Sequence, residues 1–125
     1  MAEGVAASHV DALPTIWDGF GKLVRKGLGI SSFGANIMDL PPDYTTRAHD
    51  ESTSGQEELY VGLRGAGAVV LDDDEEIPLS AEQLVRVGPG VSRRLRSGPE
   101  GVRVLCIGAT PGKVYEAPAW TEGED

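Results

Sequence analysis

The chain has 125 residues and two histidines, and one of these stands among acids. His49, Asp50 and Glu51 are followed by a polar loop, then by Glu57 and Glu58 at the head of an apolar run. Imidazole with two carboxylates is a ligand set that suits harder divalent ions such as Mn2+ or Fe2+. Without an ion, the same groups donate and accept hydrogen bonds. The stretch therefore reads as a metal site or as the remains of one. Along a strand, residues two apart share a face. His49 and Glu51 point the same way if residues 48–51 are extended. Glu58 shares a face with Tyr60, and Arg93 with Leu95, while Arg94 points oppositely. If these strands close into a small barrel, His49, Glu51 and Glu58 converge, with Arg93 nearby.

Other residues carry weaker signals. Asn36 and Met38 share a strand face, with Asn36 a candidate for the pocket and Met38 for the core. Tyr60 suits either. The single cysteine, Cys106, lies in the apolar run Val-Leu-Cys-Ile-Gly and reads as a small buried hydrophobe. It cannot form an internal disulfide, so nothing implies an oxidising compartment. His9 reads as exposed. Gly88 and Gly90 flank Pro89 in a turn, and no helix start follows to make a phosphate site. No nucleotide loop, Ser-His-Asp set or paired-cysteine motif is present.

The elements that must position these groups are short strands. Glycine (17) and proline (8) are plentiful, which argues for many turns. Residues 30–40, 44–49, 57–63, 66–71, 76–80, 83–87, 92–97 and 102–108 read as eight short strands separated by Gly, Pro and Asp turns. That is the pattern of an all-β sandwich or barrel. Residues 1–27 form an N-terminal arm too rich in glycine for a long helix, and Trp17 and Phe20 are expected to dock it on the body or on a partner subunit. The body is residues 28–109. Residues 110–125 form a C-terminal tail that lies across the surface through Tyr115 and Trp120 and frays at its end. The acidic run 72–76 reads as an exposed hairpin tip, because a calcium loop would need a central glycine and alternating oxygen ligands.

The formal net charge is -9, and no basic stripe is present to release the counterions of a nucleic acid, so neither nucleic acid nor an anionic membrane is expected as a partner. No apolar run approaches a membrane span, and the N-terminus lacks a basic region followed by an apolar core. The chain reads as soluble and cytoplasmic.

The order of these features resembles the cupins, small barrels of two packed sheets in a double-stranded β-helix. The first cupin motif has two histidines one residue apart, then a glutamate heading a strand that ends in a glycine pair. Here Gln56-Glu57-Glu58-Leu59-Tyr60-Val61 followed by Arg64-Gly65-Ala66-Gly67 matches its second half. The second motif has a Pro-Gly turn and a third histidine, and here Pro89-Gly90 matches the turn but not the histidine. The resemblance covers roughly residues 29–108. A nearer resemblance is to short bacterial cupin-domain (type-2) proteins of unassigned activity, through Ser32-Phe33-Gly34-Ala35-Asn36, His49-Asp50-Glu51, residues 55–60, and residues 109–116 (Ala-Thr-Pro-Gly-Lys-Val-Tyr-Glu).

The cupin metal set of three histidines and one glutamate implies His49, Glu51, Glu58 and Arg93 here, or Arg47, His49, Glu58 and Arg93 in the other alignment. The first is preferred. In both, Arg93 stands where the last histidine would. A guanidinium stays protonated, does not ligate metals in such sites, and repels a divalent ion. It can also neutralise one of two facing glutamates through a bidentate pair. The site is accordingly read as a degenerate metal centre held by an internal cation.

The function expected is metal-independent binding or sensing of a small molecule through His49, Glu51, Glu58, Tyr60, Arg93 and Asn36, with no cofactor. Arg93 would favour a carboxylate or phosphate if the glutamates leave it free. The alternative is a metal-dependent oxygenase or isomerase with His49, Glu51 and Glu58 holding Mn, Fe, Ni or Zn. A structural domain with a vestigial pocket, and His49 as a hydrogen-bonded barrel histidine without chemistry, stay open. Which residues are catalytic is left open. A homodimer is expected, since a second subunit can cover exposed sheet edges.

Overall fold

The computed structural model describes residues 3–122. Seven strands, all antiparallel, are its main regular structure: β1 (Thr15–Ile16), β2 (Gly21–Leu23), β3 (Gly34–Leu40), β4 (Glu57–Leu71), β5 (Glu76–Ser80), β6 (Leu84–Val87) and β7 (Arg93–Ala109). One helix of five residues, α1 (Val24–Leu28), joins β2 to β3 and ends at Gly29, whose φ of 71° suits the left-handed cap. The strands run in the order β1-β2-β3-β7-β4-β5, and β6 pairs with β4.

Two long strands shape the barrel. The first half of β4 pairs with β6 and with the second half of β7, and its second half pairs with β5 and the first half of β7. The register shifts twice in between, at Gly62/Arg64 and Gly65/Gly67. Such bulges bend a strand without ending it. Glycine is needed at the bend because a Cβ on Gly62 or Gly67 would overlap a carbonyl oxygen, of Ser80 and Arg96 respectively.

The strand count from sequence is corrected accordingly. Residues 57–63 and 66–71 are one strand, and so are residues 92–97 and 102–108. The turn expected at residues 98–101 is a bend inside β7, allowed by Gly101 at φ 78°. Residues 44–49 are not a full strand either. They touch β7 through two isolated bridges, Thr45 to Arg96 and His49 to Arg93. Side chains share the bonding beside these bridges: Thr46 Oγ1 accepts from the Leu95 N–H at 2.9 Å while the Thr46 N–H donates to the Leu95 carbonyl at 2.8 Å, and Ser97 Oγ accepts from the Tyr44 N–H at 2.8 Å.

The core lies between the two sheet halves. Leu40, Tyr60, Val69, Leu79, Val85, Val87, Leu95, Val102 and Val104 form one buried cluster, with Met38 and Cys106 packed against it. On β3, β4 and β7, the residues that face this cluster alternate with residues on the outer face. Leu13, Ile16, Leu23, Ala35 and Ile37 are buried too, outside that cluster.

The N-terminal segment extends the sheet through β1 and β2. Arg103 on β7 clamps Asp39 on β3 with two hydrogen bonds, 2.7 Å from Nη2 and 3.3 Å from Nε, and reaches Asp11 at 3.4 Å. The Arg103 hydrogen bond holds the Asp39 carboxyl below its ordinary range against the opposing effect of burial. Trp17 stacks on Trp120 of the C-terminal segment, with ring centroids 5.2 Å apart, and Phe20 meets Tyr44 edge-on. The fraying expected at the end of the tail falls on residues 123–125, outside the described residues.

Candidate functional site

The site forms where the start of β7, the start of β4 and the connection between β3 and β4 meet. His49 is fixed by its backbone: its N–H donates to the Arg93 carbonyl and its carbonyl accepts from the Arg93 N–H, both at 2.9 Å. Glu51 is fixed by the Pro89 turn, since its N–H donates to the Pro89 carbonyl at 2.8 Å. Its carboxylate accepts from Ser54 Oγ at 3.0 Å. Ser54 was no candidate from sequence, where it is one polar residue in a polar loop.

Three side chains then close on Glu58. The Tyr60 hydroxyl donates to Glu58 Oε1 at 2.8 Å. Arg93 Nη2 lies 3.2 Å from the same oxygen, and His49 Nε2 lies 3.5 Å from it. His49 Nε2 is also 3.3 Å from Glu51 Oε2. His49, Glu51 and Glu58 thus each offer a ligand atom within 4.8 Å of the others. Their side chains are 46%, 24% and 16% exposed, whereas the Arg93 side chain is fully enclosed.

These contacts set the charges. Burial pushes the Glu58 carboxyl up, but the His49 and Tyr60 hydrogen bonds and the Arg93 charge outweigh it and leave Glu58 below its ordinary range. Glu58 is therefore ionised at neutral pH. Burial, then the Glu58 charge, pushes the Tyr60 phenol well above its ordinary value, so it remains a donor. Burial does the same to the Cys106 thiol, with Glu58 adding to it.

Arg93 differs from expectation in one respect. It does not grip Glu58 bidentately, because Nη1 is turned to donate to the Val91 carbonyl at 2.9 Å. Nε and Nη2 are buried without a hydrogen-bond partner, and Nη2 keeps only its ion pair with Glu58.

Asn36 stands apart from this group. It pairs with Cys106 on β7, which pairs with Tyr60 on β4. Among the described residues no hydrogen bond or ion pair joins Asn36 to the cluster. Arg47 is exposed and outside it as well, so the side chains that meet are those of the first alignment. A groove of about 430 Å3, lined by Glu58, Leu59, Arg86, Ile107, Gly108 and Pro111 among others, runs beside the site along the start of β4 and the end of β7.

The donor spacing fits a divalent ion, and Arg93 offsets part of the attraction that Glu51 and Glu58 would exert on one. An ion bonded to Glu58 Oε1 would stand about 5 Å from the Arg93 guanidinium, a repulsion of roughly 7 kcal/mol at an effective dielectric constant near 20. The carboxylate oxygen it would need is already shared among Tyr60, Arg93 and His49.

No family model matches the chain, and no curated protein matches it. Solved structures do. A cupin protein from Bacteroides fragilis is 21% identical and superposes with a TM-score of 0.70 over 100% of this chain and 98% of its own. The Cupin_2 domain of an XRE family transcriptional regulator from Enterobacter cloacae is 18% identical, with a TM-score of 0.62 over 73% of this chain and 95% of its own. A cupin superfamily protein from Desulfitobacterium hafniense is 18% identical, with a TM-score of 0.55 over 63% and 68%. At these identities the likeness is one of fold.

Proposed function

We propose from its site that this chain, folded as a cupin barrel, binds or senses a small molecule without a metal, because the fold hosts unrelated chemistries and leaves function to the site. The observation that carries this reading is Arg93. A permanent cation, fully enclosed and 3.2 Å from the central carboxylate, takes the electrostatic place of an ion. That a domain of the same fold belongs to a transcriptional regulator in Enterobacter cloacae supports the sensing side of the reading.

The ligand class follows from which groups can be reached. Glu58 holds Arg93, so the condition for an anionic ligand is not met. The accessible members are His49 and Glu51. Glu51 and Glu58 set two carboxylates against the single guanidinium of Arg93. A ligand head that donates hydrogen bonds, a hydroxyl or an ammonium, suits this end of the barrel. Thermal-shift titration with small amines, polyols and carboxylates tests the idea. Stabilisation by amines or polyols that is lost in Glu51→Gln is expected, and stabilisation by carboxylates alone would refute it.

The convergence of His49, Glu51 and Glu58 within 4.8 Å favours a second reading, a metal enzyme of the oxygenase or isomerase kind. Elemental mass spectrometry after incubation with Mn2+, Fe2+, Ni2+ and Zn2+ separates the two. About one equivalent of metal, lost in His49→Ala, would establish the second reading and end the first.

The protein is further read as a cytoplasmic homodimer. No helix among the described residues is long and apolar enough to cross a membrane. The arm's rings are engaged within the chain, Trp17 on Trp120 and Phe20 on Tyr44. The surface left for a second copy is the outer sheet face, where Val61 pairs with Leu84 and Leu105, and Leu84 is 61% exposed. A monomeric mass by light scattering would overturn this.

A further inference from the structure

Two glycines face each other in the strand row that also holds Glu58. Gly34 on β3 pairs with Gly108 on β7, and Gly108 pairs with Glu58 on β4. The next row inward carries side chains throughout, with Asn36, Cys106 and Tyr60 in register. Glycine inside a strand gives up packing and chain stiffness, and it marks places where something else comes close. Here two groups do. A Cβ on Gly34 would lie 2.6 Å from the Tyr115 hydroxyl oxygen, and one on Gly108 would lie 2.8 Å from Gln56 Oε1 and 3.4 Å from Glu58 Cγ. The glycine pair is a shelf beside Glu58, and Tyr115 and Gln56 occupy the space above it.

Tyr115 reaches the shelf from an otherwise exposed strap. At one end Thr110 Oγ1 donates to the Ser54 carbonyl at 2.9 Å. At the other, Trp120 stacks on Trp17 and Thr121 is buried. Between them residues 111–114 are exposed, Val114 to 91%, and Tyr115 turns inward to half-burial. A segment anchored at both ends and exposed between them opens locally without unfolding the sheet. Ser54 joins the strap to the site, because its carbonyl takes the Thr110 bond while its hydroxyl holds Glu51.

We propose that the Gly34–Gly108 shelf is a second compartment of the barrel site, closed by Tyr115, and that a ligand whose head meets Glu51 and His49 lays its body there once Tyr115 swings out. The two strand spacings from Gly34 to Glu58 span about 10 Å, which limits the body to a small, flat group lying on a floor without Cβ atoms. For the ligand this rests on the small-molecule reading above. The compartment and its closure do not.

Cys106 reports on the closure. It lies on the same strand face as Gly108, one row deeper, and its thiol is buried although the residue as a whole is only half-buried, so labelling needs an opening. The experiment measures the rate at which methyl methanethiosulfonate labels Cys106 in the full-length native protein, followed by intact mass. Tyr115→Ala is expected to accelerate labelling at least tenfold, and Val114→Ala to stay within about twofold of the parent. Gly34→Ala, whose methyl pushes Tyr115 outward, is expected to accelerate it several-fold, which keeps the test available if Tyr115→Ala does not fold. Rates in Tyr115→Ala and Gly34→Ala equal to the parent would overturn the proposal. So would an acceleration that climbs with urea as steeply as global unfolding does. No ligand is needed, so a failed ligand screen with accelerated labelling removes the small-molecule reading and leaves the closure standing.

Discussion

Replacing Arg93 by Met tests the internal-cation argument at its centre. The change removes the charge that faces Glu58 at 3.2 Å and the donor to the Val91 carbonyl, and keeps much of the enclosed volume. Breaking a buried ion pair by removing one partner costs about 3–5 kcal/mol. Two features place the expected cost at the low end. Glu58 keeps Tyr60 and His49, and the native site already carries the penalty of two guanidinium nitrogens without hydrogen-bond partners. About 3 kcal/mol is expected, a fall in melting temperature of roughly 10–15 °C for a domain of this size. The double variant Arg93→Met with Glu58→Gln removes both charges and should recover at least half of the loss, because the cost lies in leaving one charge unpaired. Urea denaturation at pH 7 reads both. A single variant within about 0.5 kcal/mol of the parent, or a double variant as unstable as the single, would refute the reasoning.

Three further outcomes are expected. Glu58 has its folded-state value lowered from the ordinary 4.5, so the stability it adds is full above that value and is lost as pH falls through the folded value; Glu58→Gln should flatten the acid limb of a stability-against-pH curve, and an unchanged limb would count against the assignment. Gly62→Ala drives a methyl into the Ser80 carbonyl oxygen at the first bulge of β4 and should cost on the order of 3 kcal/mol or more, read by circular dichroism melting. Leu79→Ala, fully buried in the core, should cost about 3 kcal/mol, and Leu84→Ala, 61% exposed on the outer face, under about 0.5 kcal/mol in a monomer; a large cost at Leu84 that depends on protein concentration would point to a covered face instead.

Much of the site was legible along the chain because strand alternation is a local property. Glu58 and Tyr60 do lie on one face and meet directly, and Arg93 and Leu95 are both buried while Arg94 is exposed. The turn density announced an all-β sandwich or barrel, and the resemblance to cupins carried by the Glu58 strand and the Pro89 turn implied the barrel. What the chain could not show was continuity. Two pairs of short strands are really β4 and β7, because bulges at glycine bend a strand where a sequence reading sees a break. Nor could it show partners. That Arg93 spends one nitrogen on Val91 and only one on Glu58, that Ser54 holds Glu51, and that Tyr115 sits over Gly34 all depend on how distant segments are brought together. Alternation tells each residue which side it faces. Which group it meets there is set by register between strands tens of residues apart, and that register exists only once the sheet has closed.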